Sequence, residues 1–134
     1  MKRTPLQTAR SVSQLLRRHS DPLRAILSGR YFKTGPGQYA EGDRFIGVTV
    51  PRQRLVAAKY RQLPLAEIKR LITSKIHEER LTALLVLVYQ YENGTPEERN
   101  TIYKFYLQHT HHINNWDLVD TSAPYIIGPW LEHD

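Results

Sequence analysis

The sequence predicts an all-α fold, a HEAT-like solenoid of antiparallel helix pairs. Helix starts are marked by a capping residue followed by proline, as at Asp21-Pro22 and Thr95-Pro96. Apolar residues then recur at helical spacing, and short turns separate the segments. From Pro51 onward, the predicted helices pair at roughly the spacing of helical-hairpin repeats. A globular helical bundle is the alternative that the pattern leaves open, because the pairs share too little sequence to prove a repeat.

Two helices are predicted in the first part of the chain. Thr4-Pro5 supplies an N-cap and a first helical position for a helix that runs to about Arg18. Asp21-Pro22 repeats this signal. The helix that it opens contains the apolar residues Leu23, Ile26 and Leu27.

The loop TGPGQYAEGD, residues 34–43, contains a loose G-x-G-x-x-A spacing at 35–40. A dinucleotide-binding fingerprint needs a strand before the glycines and a helix that opens within them. Here helix signals precede the loop, so a turn is favoured over a nucleotide site. The stretch FIGVTV at residues 45–50 is the one strand candidate in the sequence, and it is short.

Three further helices are predicted between the loop and Asn93-Gly94. Pro51 starts the first, and its inward residues are Leu55, Val56 and Tyr60. The segment 77–91 is apolar nearly all round, which is typical of a helix buried between neighbours, and Asn93-Gly94 closes it. Between these two, Pro64 starts a helix with apolar residues at helical spacing, namely Leu65, Ile68, Leu71 and Ile72.

A capping box formed by Thr95 and Glu98 opens the next helix. The last helix starts at Asn114 or Asn115, whose short side chains suit an N-cap. The preceding helix carries the apolar and aromatic residues Ile102, Tyr103, Phe105, Tyr106 and Leu107.

The last helix brings together an indole, a carboxylate and a proline. Trp116 and Asp120 are four residues apart and therefore share one face. Asp117 suits the first turn because of the helix dipole, whereas Asp120 has less local justification. Pro124 removes the N–H that would bond the Asp120 carbonyl, so a kink is expected there. Spacing alone also allows a core indole with an aspartate that the backbone or an arginine satisfies.

The composition limits the classes of protein to which the chain can belong. The 134 residues include 19 Lys and Arg against 13 Asp and Glu, a net charge of +6, which favours an acidic partner such as nucleic acid. There are no cysteines, which excludes disulfides and suits a reducing cytosol. No apolar run reaches membrane-spanning length, and a secretory signal is not recognisable. We expect a cytoplasmic protein with a single helical-repeat domain over residues 1–134.

Basic residues cluster on two neighbouring predicted helices. Contact with phosphates and a merely solvated charged face are both consistent with the cluster, and the net charge favours phosphates. The cluster consists of Arg52, Arg54, Lys59 and Arg61 on one helix and Lys69, Arg70 and Lys75 on or beside the next.

Three histidines, His109, His111 and His112, crowd at a helix end. A metal site needs three or four convergent ligands, and no cysteine or His-Glu-x-x-His spacing supports one. Histidine near a helix C-terminus is favourable in any case, so a metal site is disfavoured.

Four stretches resemble the AlkD-like family of bacterial DNA alkylation repair glycosylases. They are GRYFK at 29–33, FIGVTVPRQR at 45–54, HEERLTALLVL at 77–87 and NNWDLVDTSAP at 114–124. They occur in the family's order across most of the chain, and the Trp-Asp-x-x-Asp motif followed by proline is the most specific. The resemblance implies a right-handed stack of HEAT-like pairs whose basic concave face holds duplex DNA.

The resemblance also implies roles for individual residues. Family members excise cationic N3- and N7-alkylated purines, so Asp120 corresponds to the catalytic carboxylate and Trp116 to the residue against the deoxyribose. Tyr31 corresponds to an aromatic residue lining the same cleft. The DNA contacts that it implies are Thr49 and Arg54. With Arg52 and Lys59 of the basic cluster and Lys33 of GRYFK, they make up the expected set of DNA-binding residues.

The chain is shorter than the usual member of this family. We therefore expect it to be an incomplete, N-terminal portion of the family's domain, with weak or no activity in isolation. Its last helix, ending at residues 131–134, would expose an apolar face that the next pair normally covers. Two copies of the chain can pair through that face, so a homodimer is an expected possibility.

A single carboxylate is sufficient for the implied reaction. A cationic alkylpurine leaves as a neutral base, so no general acid is required, and Asp120 stabilises the oxocarbenium-like sugar. No metal or cofactor is expected, and the family's open surface needs no base-flipping pocket. The alternatives are a non-catalytic HEAT-like module that binds DNA or a protein, and a soluble helical protein without a nucleic-acid partner.

Overall fold

The fold was analysed in a computed structural model that describes residues 6–31, 42–113 and 116–133. Several predictions fall outside this description: the Thr4-Pro5 cap, Lys33, the loop spacing at 35–40, and the caps Asn114 and Asn115. For some helical residues the description covers the backbone and not the side chain, and these are Tyr31, Trp116, Asp117, Asp120, Thr121 and residues 130–133.

The described chain is all-α, as the sequence predicts. A short 3₁₀ turn, Thr110–His112, precedes the last helix, and an isolated parallel bridge joins Arg44 to Ile76. Within the described residues there is no regular strand, so FIGVTV does not form one. The helices are α1 (Ala9–Arg18), α2 (Pro22–Tyr31), α3 (Val50–Lys59), α4 (Leu65–Ile72), α5 (His77–Glu92), α6 (Pro96–Gln108) and α7 (Trp116–His133).

Helix α5 lies at the centre of the packing. It packs most extensively against α7, α4 and α3, and it also contacts α6 and α1. Helices therefore pack against both the next helix and the next but one, which is the arrangement of stacked helical pairs. The HEAT-like prediction is confirmed in this respect. The apolar circumference of α5 explains its place, because each of its sides must be covered.

The core follows from the apolar positions on these helices. Leu84 and Leu87 of α5 are fully buried, as are Ile68 of α4 and Leu118 of α7. Burying one such side chain contributes about 1.5–3 kcal/mol. By contrast, α2 makes no extensive packing with another helix among the described residues. Its apolar residues Leu23, Ile26 and Leu27 are exposed.

Local capping signals set most helix starts as predicted. The Asp21 carboxylate accepts the amide of Leu23 at 3.0 Å at the start of α2. The capping box of Thr95 and Glu98 is complete, with the Thr95 amide donating to the Glu98 carboxylate at 3.0 Å. Asn93 is the C-cap of α5.

Two expectations for the first half are wrong. Helix α1 begins at Ala9, later than the predicted start, because Leu6 and Gln7 are not helical and Thr8 is the N-cap, whose side chain accepts the amide of Ser11. The Ala9 amide is also bound by the Glu67 carboxylate of α4 at 3.0 Å, a contact that the local sequence does not reveal. Leu55 was expected to point inward, but its side chain is 64% exposed, whereas Val56 and Tyr60 are buried as predicted.

No helix in the described ranges has the length and apolar character that crossing a membrane requires.

Candidate functional site

Helix α7 carries the Trp-Asp-x-x-Asp motif and continues through both of its prolines, Pro124 and Pro129. The stripe that it buries consists of Leu118, Ser122 and Ile126, all 0% exposed. At 100° per residue, backbone positions 116 and 120 lie about 120° to 160° round the helix from this stripe. The motif positions therefore share a side of α7 that lies away from this fully buried stripe and next to Ala123 and Ile127, which are partly buried against the core. The kink at Pro124 stays a prediction.

A buried hydroxyl pair joins α6 to α7 beside the motif. The Tyr106 hydroxyl lies 2.9 Å from the Ser122 hydroxyl, which donates to the Leu118 carbonyl at 2.7 Å. Burial raises the pKa of Tyr106, so its hydroxyl stays protonated. The sequence placed Tyr106 on the apolar face of a helix and gave Ser122 no role. A serine within an otherwise apolar buried stripe was the one available signal.

Glu78 fixes the segment that precedes α3. Its buried carboxylate accepts the backbone amides of Ile46, Gly47 and Val48 at distances of 2.8 to 3.2 Å. These amides are bound by a side chain and not by a neighbouring strand, which explains why this stretch is extended without joining a sheet. The sequence around Glu78 does not predict this role, because the amides that it binds lie about 30 residues earlier in the chain.

A buried ion pair fixes the beginning of the same segment. The Arg80 guanidinium donates to the Asp43 carboxylate at 2.6 Å, and His77 Nδ1 lies 3.9 Å from the same oxygen. Burial raises the pKa of Asp43, but the hydrogen bonds from His77 and Arg80 outweigh it and hold the pKa below its ordinary value. Arg80 Nε is buried and finds no hydrogen-bond partner among the described residues.

These two anchors also place the start of α2. The Asp21 amide donates to the Ile46 carbonyl at 3.0 Å. Gly47 has a φ of +84°, and a Cβ there would lie 2.0 Å from the Asp21 carbonyl oxygen. The backbones thus meet at a point that only glycine permits. Tyr31, the predicted cleft aromatic, is the last residue of this helix.

Helix α3 carries most of the predicted DNA contacts. Thr49 is its N-cap, and the Thr49 hydroxyl accepts the Arg52 amide at 3.4 Å. Arg52, Arg54 and Lys59 are all exposed. By helical geometry Lys59 lies about 20° round the axis from Arg52, whereas Arg54 lies about 160° away. The four predicted contacts on this helix therefore do not form one patch.

The Arg52 flank of α3 borders a groove against α1. The groove has a volume of about 440 Å³, and Arg52, Lys59 and the exposed Leu55 line it together with Leu15 and His19 of α1. Arg54 is not among its lining residues.

The histidines at the end of α6 take part in packing. His109 is buried, its Nδ1 lies 2.7 Å from the Phe105 carbonyl oxygen, and its ring centroid lies 4.3 Å from that of Phe105. Burial lowers the pKa of His112, and the nearby charges of His111, His109 and Arg80 lower it further. In the part of the chain that the structure describes, no three His, Cys, Asp or Glu side chains converge as metal ligands.

Comparison with known proteins gives one match. Residues 12–134 match the family described as DNA alkylation repair enzyme. No curated protein and no solved structure matches the chain. The matched range includes the whole of α7 and the segment that Glu78 and Arg80 anchor.

Proposed function

The chain belongs to the DNA alkylation repair enzyme family, and on that premise we propose that it is a DNA glycosylase. Its substrate is duplex DNA that carries cationic N3- or N7-alkylated purines, and its reaction is hydrolysis of the N-glycosidic bond. The observation that carries the proposal is the family match over residues 12–134, which includes the Trp-Asp-x-x-Asp motif.

Asp120 is the catalytic residue in this proposal, and Trp116 and Tyr31 shape the cleft around the sugar. Support comes from the backbone of α7, since positions 116 and 120 lie on a different side from the buried stripe of Leu118, Ser122 and Ile126. An indole one turn away from Asp120 adds about 0.5–2 kcal/mol of attraction to a cationic sugar.

The chemistry requires few protein groups. An N3- or N7-alkylated purine carries a positive charge and departs as a neutral base, so the electrons of the glycosidic bond leave with it and no proton donor is needed. The deoxyribose then develops positive charge at its anomeric carbon. A carboxylate stabilises this charge and orients the attacking water. No cofactor enters the proposed reaction.

Thr49 and basic residues before and along α3 supply the proposed contacts with the DNA backbone. The proposed set is Thr49, Arg54 and Lys33, together with Arg52 and Lys59, which lie on the other flank of α3 and should contribute less. Selectivity arises from the positive charge and weakened bond of the lesion itself, so an open surface can replace the snug pocket of base-flipping enzymes. Methyl and bulkier N7 adducts are then both excised.

The test is the release of 7-methylguanine or 3-methyladenine from methylated duplex DNA by the 134-residue chain, with protein in excess. Asp120→Asn is expected to lower the release rate by about 100-fold or more, because one electrostatic stabiliser is lost. Binding to DNA should be largely kept. The matched control is Asp117→Asn, which changes a carboxylate of the same helix and should leave the release rate within about threefold.

Three outcomes contradict the proposal. Equal release by Asp120→Asn and the parent chain would assign the chemistry to another residue. DNA binding without release above the spontaneous rate, even in a chain of the family's full length, would identify a non-catalytic DNA-binding module. Salt-insensitive behaviour towards duplex DNA would exclude a phosphate-contacting protein altogether.

A further inference from the structure

Two buried hydroxyls form a chain of hydrogen bonds with a fixed direction. Tyr106 and Ser122 are 2% and 0% exposed, and their oxygens lie 2.9 Å apart. The one proton of the Ser122 hydroxyl goes to the Leu118 carbonyl at 2.7 Å. Tyr106 must therefore donate to Ser122. The chain runs from the side chain of α6 into the backbone of α7.

These bonds flank the proposed catalytic position. Leu118 and Ser122 are two residues before and two residues after Asp120. Pro124 has no N–H to give to the Asp120 carbonyl, and its ring presses towards that carbonyl. A serine that bonds to the carbonyl four residues earlier also tends to bend a helix. The regular backbone hydrogen bonding of α7 is thus interrupted around Asp120, where the proposed reaction needs a defined geometry.

We propose that Tyr106 and Ser122 are positioning residues, which hold the α7 backbone around Asp120 in the geometry that base release requires. The inference rests on the proposed function of Asp120. Both hydroxyls are buried where α6 packs against α7. They therefore act on the reaction through the backbone of α7 and do not contact DNA.

Apolar packing lacks the direction of these bonds. Phenylalanine at 106 and alanine at 122 would keep the contact between α6 and α7 apolar, but they would remove the directional link from the Tyr106 side chain to the backbone of α7 at Leu118. Small displacements of a catalytic group are costly, because a misplacement of about 1 Å can lower a rate by about 100-fold.

The test compares Tyr106→Phe, Ser122→Ala and the double variant with the parent chain. Each single variant is expected to lower the single-turnover rate of 7-methylguanine release by about tenfold or more. The DNA concentration for half-maximal rate should not change, because no DNA contact is lost. The double variant should be no slower than the slower single variant, since the two hydroxyls act as one unit.

Thr82→Val is the matched control. Thr82 of α5 is also fully buried, but its hydroxyl has no hydrogen-bond partner among the described residues. Removing it deletes a buried helix hydroxyl without cutting a bond, so release should proceed at the parent rate. Circular dichroism and melting temperature are measured for every variant, and rates are compared well below the melting temperature.

The outcomes separate this inference from the proposed function. If Asp120→Asn abolishes release while folded Tyr106→Phe and Ser122→Ala match the parent, the hydroxyls only stabilise the fold and the inference is wrong. If Asp120→Asn releases the base as fast as the parent, or if the proposed function is contradicted in another of the ways given above, both the proposed function and this inference are wrong. If one of the two hydroxyl variants does not fold, the release rate of the other variant tests the inference. Loss of rate with half-maximal concentration unchanged supports positioning, and a changed half-maximal concentration with unchanged rate overturns it.

Discussion

The Glu78 carboxylate accepts the backbone amide of Gly47 at 2.8 Å, although the two residues are 31 positions apart in the sequence. The same carboxylate binds the amides on either side of Gly47. This one side chain therefore fixes the backbone path into α3 and helps to place the start of α2. The positions of the basic residues on α3 depend on that path.

Replacing Glu78 by glutamine should lower the free energy of unfolding by about 3 kcal/mol, because a charged acceptor of several buried amides is lost. The amide group that replaces one oxygen is itself a donor and cannot accept those protons. Urea unfolding followed by circular dichroism measures the change. The control is Glu97→Gln at an exposed position of α6, where a change within about 0.5 kcal/mol is expected. A similarly small change for Glu78→Gln would mean that the three amides find other partners.

Alanine at Gly47 should destabilise the fold far more than alanine at Gly42. Both glycines have positive φ, at +84° and +85°, so both substitutions carry the same conformational strain. A Cβ at Gly42 meets nothing within 4 Å, whereas at Gly47 it would overlap the Asp21 carbonyl oxygen. We expect a cost of about 1–2 kcal/mol at Gly42 and a larger loss, or failure to fold, at Gly47. Equal melting temperatures for the two variants would contradict the close contact between α2 and the segment before α3.

Acid should weaken the fold partly through Asp43. Its pKa in the folded protein lies below the ordinary value of 3.8, so the folded state binds the Asp43 proton less readily than the unfolded state. The stabilisation is present above about pH 4 and is lost as the pH falls through the folded-state pKa.

Asp43→Asn tests this account. It should flatten the acidic part of the curve of unfolding free energy against pH. At pH 7 it should cost about 3–5 kcal/mol, because Arg80 keeps a buried charge without its partner. A parallel curve for parent and variant below about pH 4 would show that other groups govern acid unfolding.

Arg54 and the pair of Arg52 and Lys59 should differ in their effect on DNA binding, because they lie on opposite flanks of α3. Arg54 belongs to the face that the family resemblance assigns to DNA, so Arg54→Ala should reduce the slope of log affinity against log salt by about one. Arg52→Ala and Lys59→Ala should change it less. The reverse result would place DNA on the flank that borders α1 and its groove.

Local signals in the sequence predicted much of this fold. The Thr95–Glu98 capping box, the Asp21 cap and the apolar circumference of α5 each act within one or two helical turns, and each prediction is confirmed. The start of α1 was predicted too early: Thr8 caps the helix, and the carboxylate of Glu67, 58 residues later, binds its first amide. Such a contact exists only after the chain has folded.

The candidate site was predictable to a smaller extent. The motif of Trp116 and Asp120 stands out in the sequence because its residues lie about one helical turn apart and form an unusual combination. The groups that hold the surrounding backbone do not stand out, because Glu78, Arg80 and Tyr106 act on partners in other elements. Leu55 shows the same limit, since helical spacing identifies an apolar residue but not whether a neighbour covers it.

The enclosure of α5 by five other helices has a consequence for motion. Its amide protons can reach water only when most of the surrounding helices have come away, so they should exchange with deuterium no faster than the whole chain opens. The amides of α2, which has no such neighbours among the described residues, should exchange many times faster. Local opening at that end could thus proceed while the centre of the molecule stays closed.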